Sequence, residues 1–191
     1  QDEVAVRVHA YGGGRALVPD FPFWVRHDAP GAEAIAIAGD FAYVVESQVG
    51  LRIYDLSGPG APVPRGLATE VQGAAQVLVI GPRVYTATPG GRSDSGVRIF
   101  DVSDPDAPVH LGTLSLHARR VAVHGTTIYV APGDRAWFNV VDATDPAAMV
   151  DVIRYSYNLD QEVQAVAVDP ARQQLFVSRL NGTGQVYDVS D

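Results

Sequence analysis

Apolar residues in this chain come in short bursts broken by Gly, Pro, Asp and Asn, and the same order of bursts returns four times. The first burst of each round is an Ile/Val/Ala run: Ile35–Ile37, Val77–Ile80, Val121–Val123 and Val166–Val168. The second carries an aromatic: Phe41–Val45, Arg83–Ala87, Thr127–Val130 and Leu175–Ser178. The third closes on or beside an aspartate: Leu51–Leu56, Val97–Val102, Phe138–Val141 and Gln185–Val189. A weaker fourth follows at about Val63–Ala68, Val109–Leu114 and Val150–Tyr155. Runs this short, rich in Val, Ile, Tyr and Phe and bounded by turn formers, read as β-strands. They are lettered a to d in each round. Strand a is apolar on both faces, with Ala36, Ala122 and Ala167 opposite bulkier neighbours. A sheet packed between two others needs that composition. No stretch keeps a helical period, so little or no helix is expected.

The spacing gives the architecture. The strand b aromatics, Tyr43, Tyr85, Tyr129 and Phe176, are 42, 44 and 47 residues apart. The aspartates that close strand c, Asp55, Asp101, Asp142 and Asp188, are 46, 41 and 46 apart. A period in this range made of short strands is the mark of β-propeller blades. The expected fold is all-β: four-stranded antiparallel blades with strand a innermost. The repeats divide as about 33–73, 74–117, 118–162 and an incomplete 163–191. Residues 1–32 lie outside the clear repeats and hold strand-like Val4-Ala-Val-Arg-Val8 and Phe21-Pro-Phe-Trp-Val-Arg26. This segment is either the tail of a preceding blade or the missing strand d of repeat four, which would close a four-bladed ring and remove an open edge. The sequence stops at Val189-Ser190-Asp191, inside a turn motif that repeats two and three continue with Pro. That favours a piece of a larger propeller.

The turns divide into constant and variable sets. Tight a–b turns stand at Gly39-Asp40, Gly81-Pro82, Gly125-Thr126 and Asp169-Pro170. Asp55, Asp101, Asp142 and Asp188 are placed to accept hydrogen bonds from the amides that follow them, which is a structural role. Calcium ligation is the alternative, but no DxDxDG-type run is present. The b–c loops, in contrast, differ in length and content from repeat to repeat: 46–50, 88–96, 131–137 and 179–184. In a propeller these loops share a face with the d–a connections. Variable loops on a constant scaffold are where ligands bind. The candidate contacts on that face are Arg92, Arg119, Arg135, Trp137, Tyr157 and Asp160. Ordinary loop drift between duplicated blades accounts for the same variation.

Composition narrows the function classes. The net charge is −8. Nucleic acid is therefore not an expected partner, since phosphate binding needs a basic surface. No run of 18 apolar residues exists, so no membrane insertion is expected. All 14 basic residues are Arg, and there is no Cys. The absence of Cys suits an exported protein and a cytosolic one equally. No HExxH, CxxC or GxSxG motif occurs. The Gly-rich loops at Gly90-Gly91 and Gly182-Thr183-Gly184 precede no helix, so they do not read as phosphate cradles. The residues opening strand a, Glu33, Ala75, Arg119 and Gln164, form no matched ligand ring. The sequence thus points to no catalytic residue, metal site or cofactor.

The combination of a VAV run, a glycine turn, an AYV-type strand and GLRI(Y/F)DVSDPxxPV resembles the LVIVD repeat. The matching stretches are Ile35 to Val63, Val77 to Val109, Val121 to Val150 and Val166 to Asp191, and Val77 to Val109 follows the pattern most closely. The first departs at Gly58-Pro59-Gly60 and the third at Trp137-Phe138-Asn139. The resemblance implies a β-propeller and an exported protein, extracellular, periplasmic or at the cell surface. It supplies no shared catalytic residues. The function expected is binding of a protein or glycan partner, with a structural spacer, or part of a hydrolase or lyase with its site elsewhere, as alternatives.

Overall fold

The computed structural model describes residues 31–90, 95–156 and 161–190. They form four antiparallel sheets, one per repeat and each in chain order. Sheet 1 holds β1 (Ala32–Ala38), β2 (Phe41–Glu46), β3 (Gly50–Asp55) and β4 (Val63–Ala68). Sheet 2 holds β5 (Gln76–Ile80), β6 (Arg83–Thr88), β7 (Gly96–Asp101) and β8 (Val109–Leu114). Sheet 3 holds β9 (Arg120–His124), β10 (Thr127–Ala131), β11 (Phe138–Asp142) and β12 (Val150–Tyr155). Sheet 4 holds β13 (Val163–Asp169), β14 (Gln174–Arg179) and β15 (Gly184–Asp188). The helical content among the described residues is one short 3₁₀ turn, Pro146–Ala148. The N-terminal strand candidates at 4–8 and 21–26 lie outside the described residues, as do the site candidates Arg92, Tyr157 and Asp160.

Strand a is innermost because its neighbours are other strands a. β1 lies beside β5, β5 beside β9, and β9 beside β13. Gln76 stitches β5 to β9 as a strand rung would. Its Nε2 donates to the Val121 carbonyl at 3.2 Å, and its Oε1 accepts from the Val121 amide at 2.7 Å. Arg120 adds a bond from Nη1 to the Ala75 carbonyl at 2.9 Å.

The core lies between sheets. Tyr43, Leu51 and Ile53 of sheet 1 meet Val77, Val84 and Phe100 of sheet 2. Tyr85, Val97 and Ile99 of sheet 2 meet Val121, Ile128 and Val141 of sheet 3. Tyr129 and Phe138 of sheet 3 meet Val166, Leu175 and Val177 of sheet 4. The strand b aromatics Tyr43, Tyr85 and Tyr129 therefore face the next sheet, and the alternate residues of strands a to c in sheets 2 to 4 face the preceding one. The c–d pairing is bulged at the same step in the first three sheets: between Arg52 and Tyr54, Ile99 and Phe100, and Val140 and Val141. A bulge increases local twist, which turns the outer strand.

A second contact locks neighbouring sheets at the periphery. The c–d turn of one sheet sits on strand d of the sheet before it, and the close approach demands glycine. The Gly66 amide donates to the Pro105 carbonyl at 2.8 Å. A Cβ on Gly112, at the same register of β8, would lie 1.8 Å from the Pro146 carbonyl oxygen. Arg65 reinforces the first of these contacts. Its Nε and Nη2 each reach Asp106 of sheet 2 at 2.6 Å, and its Nη1 reaches Asp55 at 3.1 Å. The hydrogen bonds to Asp106, and then the charge of that carboxylate, raise the Arg65 pKa.

The repeat aspartates tie the c–d turns locally. Oδ1 of Asp55, Asp101, Asp142 and Asp188 accepts from the amide two residues on, at 2.8, 2.8, 2.8 and 2.9 Å. Hydroxyls of Ser57, Ser103, Thr144 and Ser190, then these amides, hold the four carboxyls below the ordinary aspartate range. A depressed folded-state pKa contributes stability that is present above the unfolded value, about 3.9, and is lost as pH falls through the folded value. The unfolding midpoint in urea should therefore hold steady from pH 7 to 5 and drop below about pH 4. A midpoint unchanged down to pH 3 would contradict these bonds.

Candidate binding face

The b–c loops and d–a connections lie at one end of the sheets, and the tightest cluster of polar and aromatic side chains there sits between sheets 2 and 3. The b–c loop of sheet 3 is held by its neighbours on both sides. The Gly133 amide donates to the Val163 carbonyl at 3.0 Å, and the Val163 amide donates to the Arg135 carbonyl at 2.8 Å. Gln164 Nε2 donates to the Gly133 carbonyl at 2.9 Å. The loop backbone is thereby fixed at Gly133 and Arg135 against the inner strand of sheet 4.

Trp137 is half-buried at the end of this loop. The guanidinium carbon of Arg154 lies 5.0 Å from its ring centroid and that of Arg135 lies 5.9 Å away. Both are within the range of cation–π attraction. Arg154 reaches this place because it stands near the end of β12, paired in register with Asn139. Asn139 Nδ2 donates to Asp151 at 2.8 Å, and Arg154 approaches the same carboxylate only at 4.0 Å. On the other side of the loop, Asp134 binds Arg135 Nη1 at 2.9 Å and His117 Nδ1 at 3.3 Å. The His117 ring covers Gly90, where a Cβ would meet Nδ1 at 2.2 Å. Arg119 lies across Gly133, where a Cβ would meet its Cδ at 2.4 Å. Leu114, Ser115, Leu116, Trp137, Asn139 and Arg154 are among the walls of a cleft of about 170 Å³.

Of the sequence candidates, then, Arg119, Arg135 and Trp137 stand on one loop cluster. Arg92, Tyr157 and Asp160 fall outside the described residues. His117, Asp134 and Arg154 join the cluster unannounced by the sequence. Trp137 packs with the guanidinium groups of Arg135 and Arg154. No group of three or more His, Asp or Glu among the described residues could hold a metal ion. Sequence reading also missed a buried carboxylate on sheet 1. Glu46 accepts from the Tyr54 hydroxyl and from Arg52 Nε at 3.3 Å. Burial, with Glu46 beside it, pushes the Tyr54 phenol up to about 12.

The series of antiparallel sheets, three of four strands and one of three, each packed on the next through its inner strand, is that of β-propeller blades. Solved structures agree on the fold. The propeller domain of Myceliophteria thermophila Cps50 (Swd1) superposes with a TM-score of 0.64 at 13% identity, over 83% of this chain and 54% of that one. The computationally designed Ika4 protein matches with a TM-score of 0.61 at 12% identity, over 87% of this chain and 96% of that one. The designed Ika8 protein matches with a TM-score of 0.60 at 12% identity, over 87% and 48%. The chain thus spans nearly all of Ika4 and about half of the other two. No curated protein matches it in sequence. Residues 31–66 and 117–156 match the LVIVD repeat. The chain therefore has a β-propeller fold with two segments that match the LVIVD repeat. The matched segments are repeats one and three, whereas the sequence pattern put repeat two closest. Repeat two forms the same four-stranded sheet but carries the longest b–c loop among the described sheets, 89–95.

Proposed function

We infer that this chain is a binding module, exported to a cell surface, that holds a protein partner on its b–c and d–a face. The observation that carries the reading is the Arg135–Trp137–Arg154 cluster, seated on a loop fixed by sheet 4. Trp and Arg are the side chains that contribute most to protein interfaces. Arg154 is largely exposed and meets its nearest carboxylate only at 4.0 Å, so its charge is available to an acidic group. Export is supported by the resemblance to LVIVD-repeat proteins. No catalytic role is part of this proposal.

A labelled preparation of the chain, applied to arrays of extracellular proteins and of glycans, tests it. A protein with an acidic surface should be captured, and a Trp137→Ala/Arg154→Ala pair should bind it at least tenfold more weakly. Capture of glycans alone would replace the protein partner with a carbohydrate one. If a partner is captured and the pair binds it as well as the parent, while Asp101→Ala on the opposite face loses it, the face is wrongly assigned.

A further inference from the structure

Asparagine is scarce in this chain. It stands at Asn139, Asn158 and Asn181, and the residues that follow are Val140, Leu159 and Gly182. The follower matters because its backbone nitrogen is the nearest nucleophile to the side-chain amide carbon. Attack by that nitrogen closes a succinimide ring. A β-branched follower crowds the approach, and glycine leaves it open.

Asn181 and Gly182 form the tip of the b–c hairpin of sheet 4, between β14 and β15. Gly182 has a φ of +79°, and a Cβ built on it would have no atom within 4 Å. Both residues are exposed. Exposure at this place does not depend on what lies beside the sheet. Gln48 and Asp134, in the b–c loops of sheets 1 and 3, are exposed although a next sheet packs against each. The hairpin holds its own shape: the Arg179 amide donates to the Thr183 carbonyl at 2.9 Å, and the Gly182 amide donates to the Arg179 carbonyl at 3.1 Å.

The side-chain carbonyl of Asn181 is already polarised. Its Oδ1 accepts from the Thr183 amide at 3.1 Å and from the Thr183 hydroxyl at 2.7 Å. Negative charge develops on that oxygen when a nucleophile adds to Cγ. Two donors aimed at it stabilise the addition more than they stabilise the resting amide. Asn139 is the opposite case. It is 2% exposed, its Nδ2 donates to Asp151 at 2.8 Å, and Val140 follows it inside β11.

We propose that Asn181 is a self-modifying site, at which the hairpin converts its own asparagine to aspartate and isoaspartate. The Gly182 amide gives its proton to hydroxide, and its nitrogen forms a bond to Cγ of Asn181. The Cγ–Nδ2 bond breaks, and the departing nitrogen takes a proton from water and leaves as ammonia. Water then opens the succinimide at either carbonyl. One opening leaves aspartate in the ordinary chain. The other leaves isoaspartate, which runs the main chain through the side-chain carbons and lengthens the hairpin by an atom. Water is the only co-reactant. Each product puts a carboxylate at the b–c end of the sheets where a neutral amide stood.

Incubation of the folded chain in mildly alkaline buffer, followed by trypsin digestion and mass spectrometry, tests the proposal. The chain has no Lys, so cleavage after Arg places Asn181 in fragment 180–191 and Asn139 in fragment 136–154. A sample digested without incubation sets the zero, and synthetic aspartate and isoaspartate forms of fragment 180–191 mark the products. Fragment 180–191 should gain both acid forms at least tenfold faster than fragment 136–154 gains any. Thr183→Val keeps the branched shape and removes the hydroxyl. It should slow the conversion about threefold to tenfold, the rate equivalent of one hydrogen bond, with circular dichroism unchanged. Thr183→Ser should restore the parent rate. An intact Asn181 in the incubated chain, or acid forms arising first at Asn139, would overturn the proposal. Conversion of Thr183→Val at the parent rate would overturn the part given to the hydroxyl.

Discussion

Gly112→Ala is expected to be the most damaging small substitution in the protein, costing about 3 kcal/mol or more of folding free energy. The added Cβ would stand 1.8 Å from the Pro146 carbonyl oxygen and 2.6 Å from its carbon. Both are backbone atoms of a turn that cannot rotate aside as a flexible side chain would. Either β8 leaves its ladder or the turn of sheet 3 lifts off sheet 2, and each loses contacts along the whole periphery. Gly112→Val should be worse. Gly58 has no atom within 4 Å of a built Cβ, so Gly58→Ala should stay within about 0.5 kcal/mol. Urea unfolding of the two variants beside the parent measures the contrast. Equal midpoints for all three would show that the turn does not rest on β8 in solution.

Phe100→Ala should cost about 3–5 kcal/mol, the usual range for a large aromatic removed from a close-packed core. Phe100 is fully buried and joins Leu51 and Ile53 of sheet 1 to Val84 of its own sheet. The cavity would open at the seam between sheets, where neither backbone can close it without breaking its own ladder. Stability in an array of this kind is a sum of sheet and nearest-neighbour terms. A large loss at one seam should therefore separate the unfolding of sheet 1 from that of sheets 2 to 4, and the urea transition should broaden or split. Ile80→Ala, at a residue 43% exposed, should change the midpoint little. A loss below about 1 kcal/mol for Phe100→Ala would mean that the seam repacks.

Much of the candidate site was legible where its cause is local. The variable b–c loops mark themselves by length, and Arg135 and Trp137 lie in one of them. The aspartate turns are bonds from one residue to the amide two positions on, so a short motif suffices to find them. Arg154 was not legible. It sits 17 residues after Trp137, in a strand that reads as plain outer sheet, and only the register of β12 on β11 carries it to the ring. The pairing of His117 with Asp134 spans the same separation and depends on a d–a connection passing over the next sheet's loop.

By itself the sequence determined the strand order within each repeat, the all-β class and the innermost place of strand a. Those follow from two-residue alternation, turn chemistry and period, which act over a few residues and recur four times. Only the tertiary structure decided which glycines are indispensable, how Arg65 reaches Asp106 across 41 residues, and which faces of the first and last sheets stay open. Ile35 and Val77 look alike as residues, as do Phe176 and Tyr129. Their exposure differs because a neighbouring sheet covers one and not the other, and that neighbour belongs to the packing rather than to the local pattern.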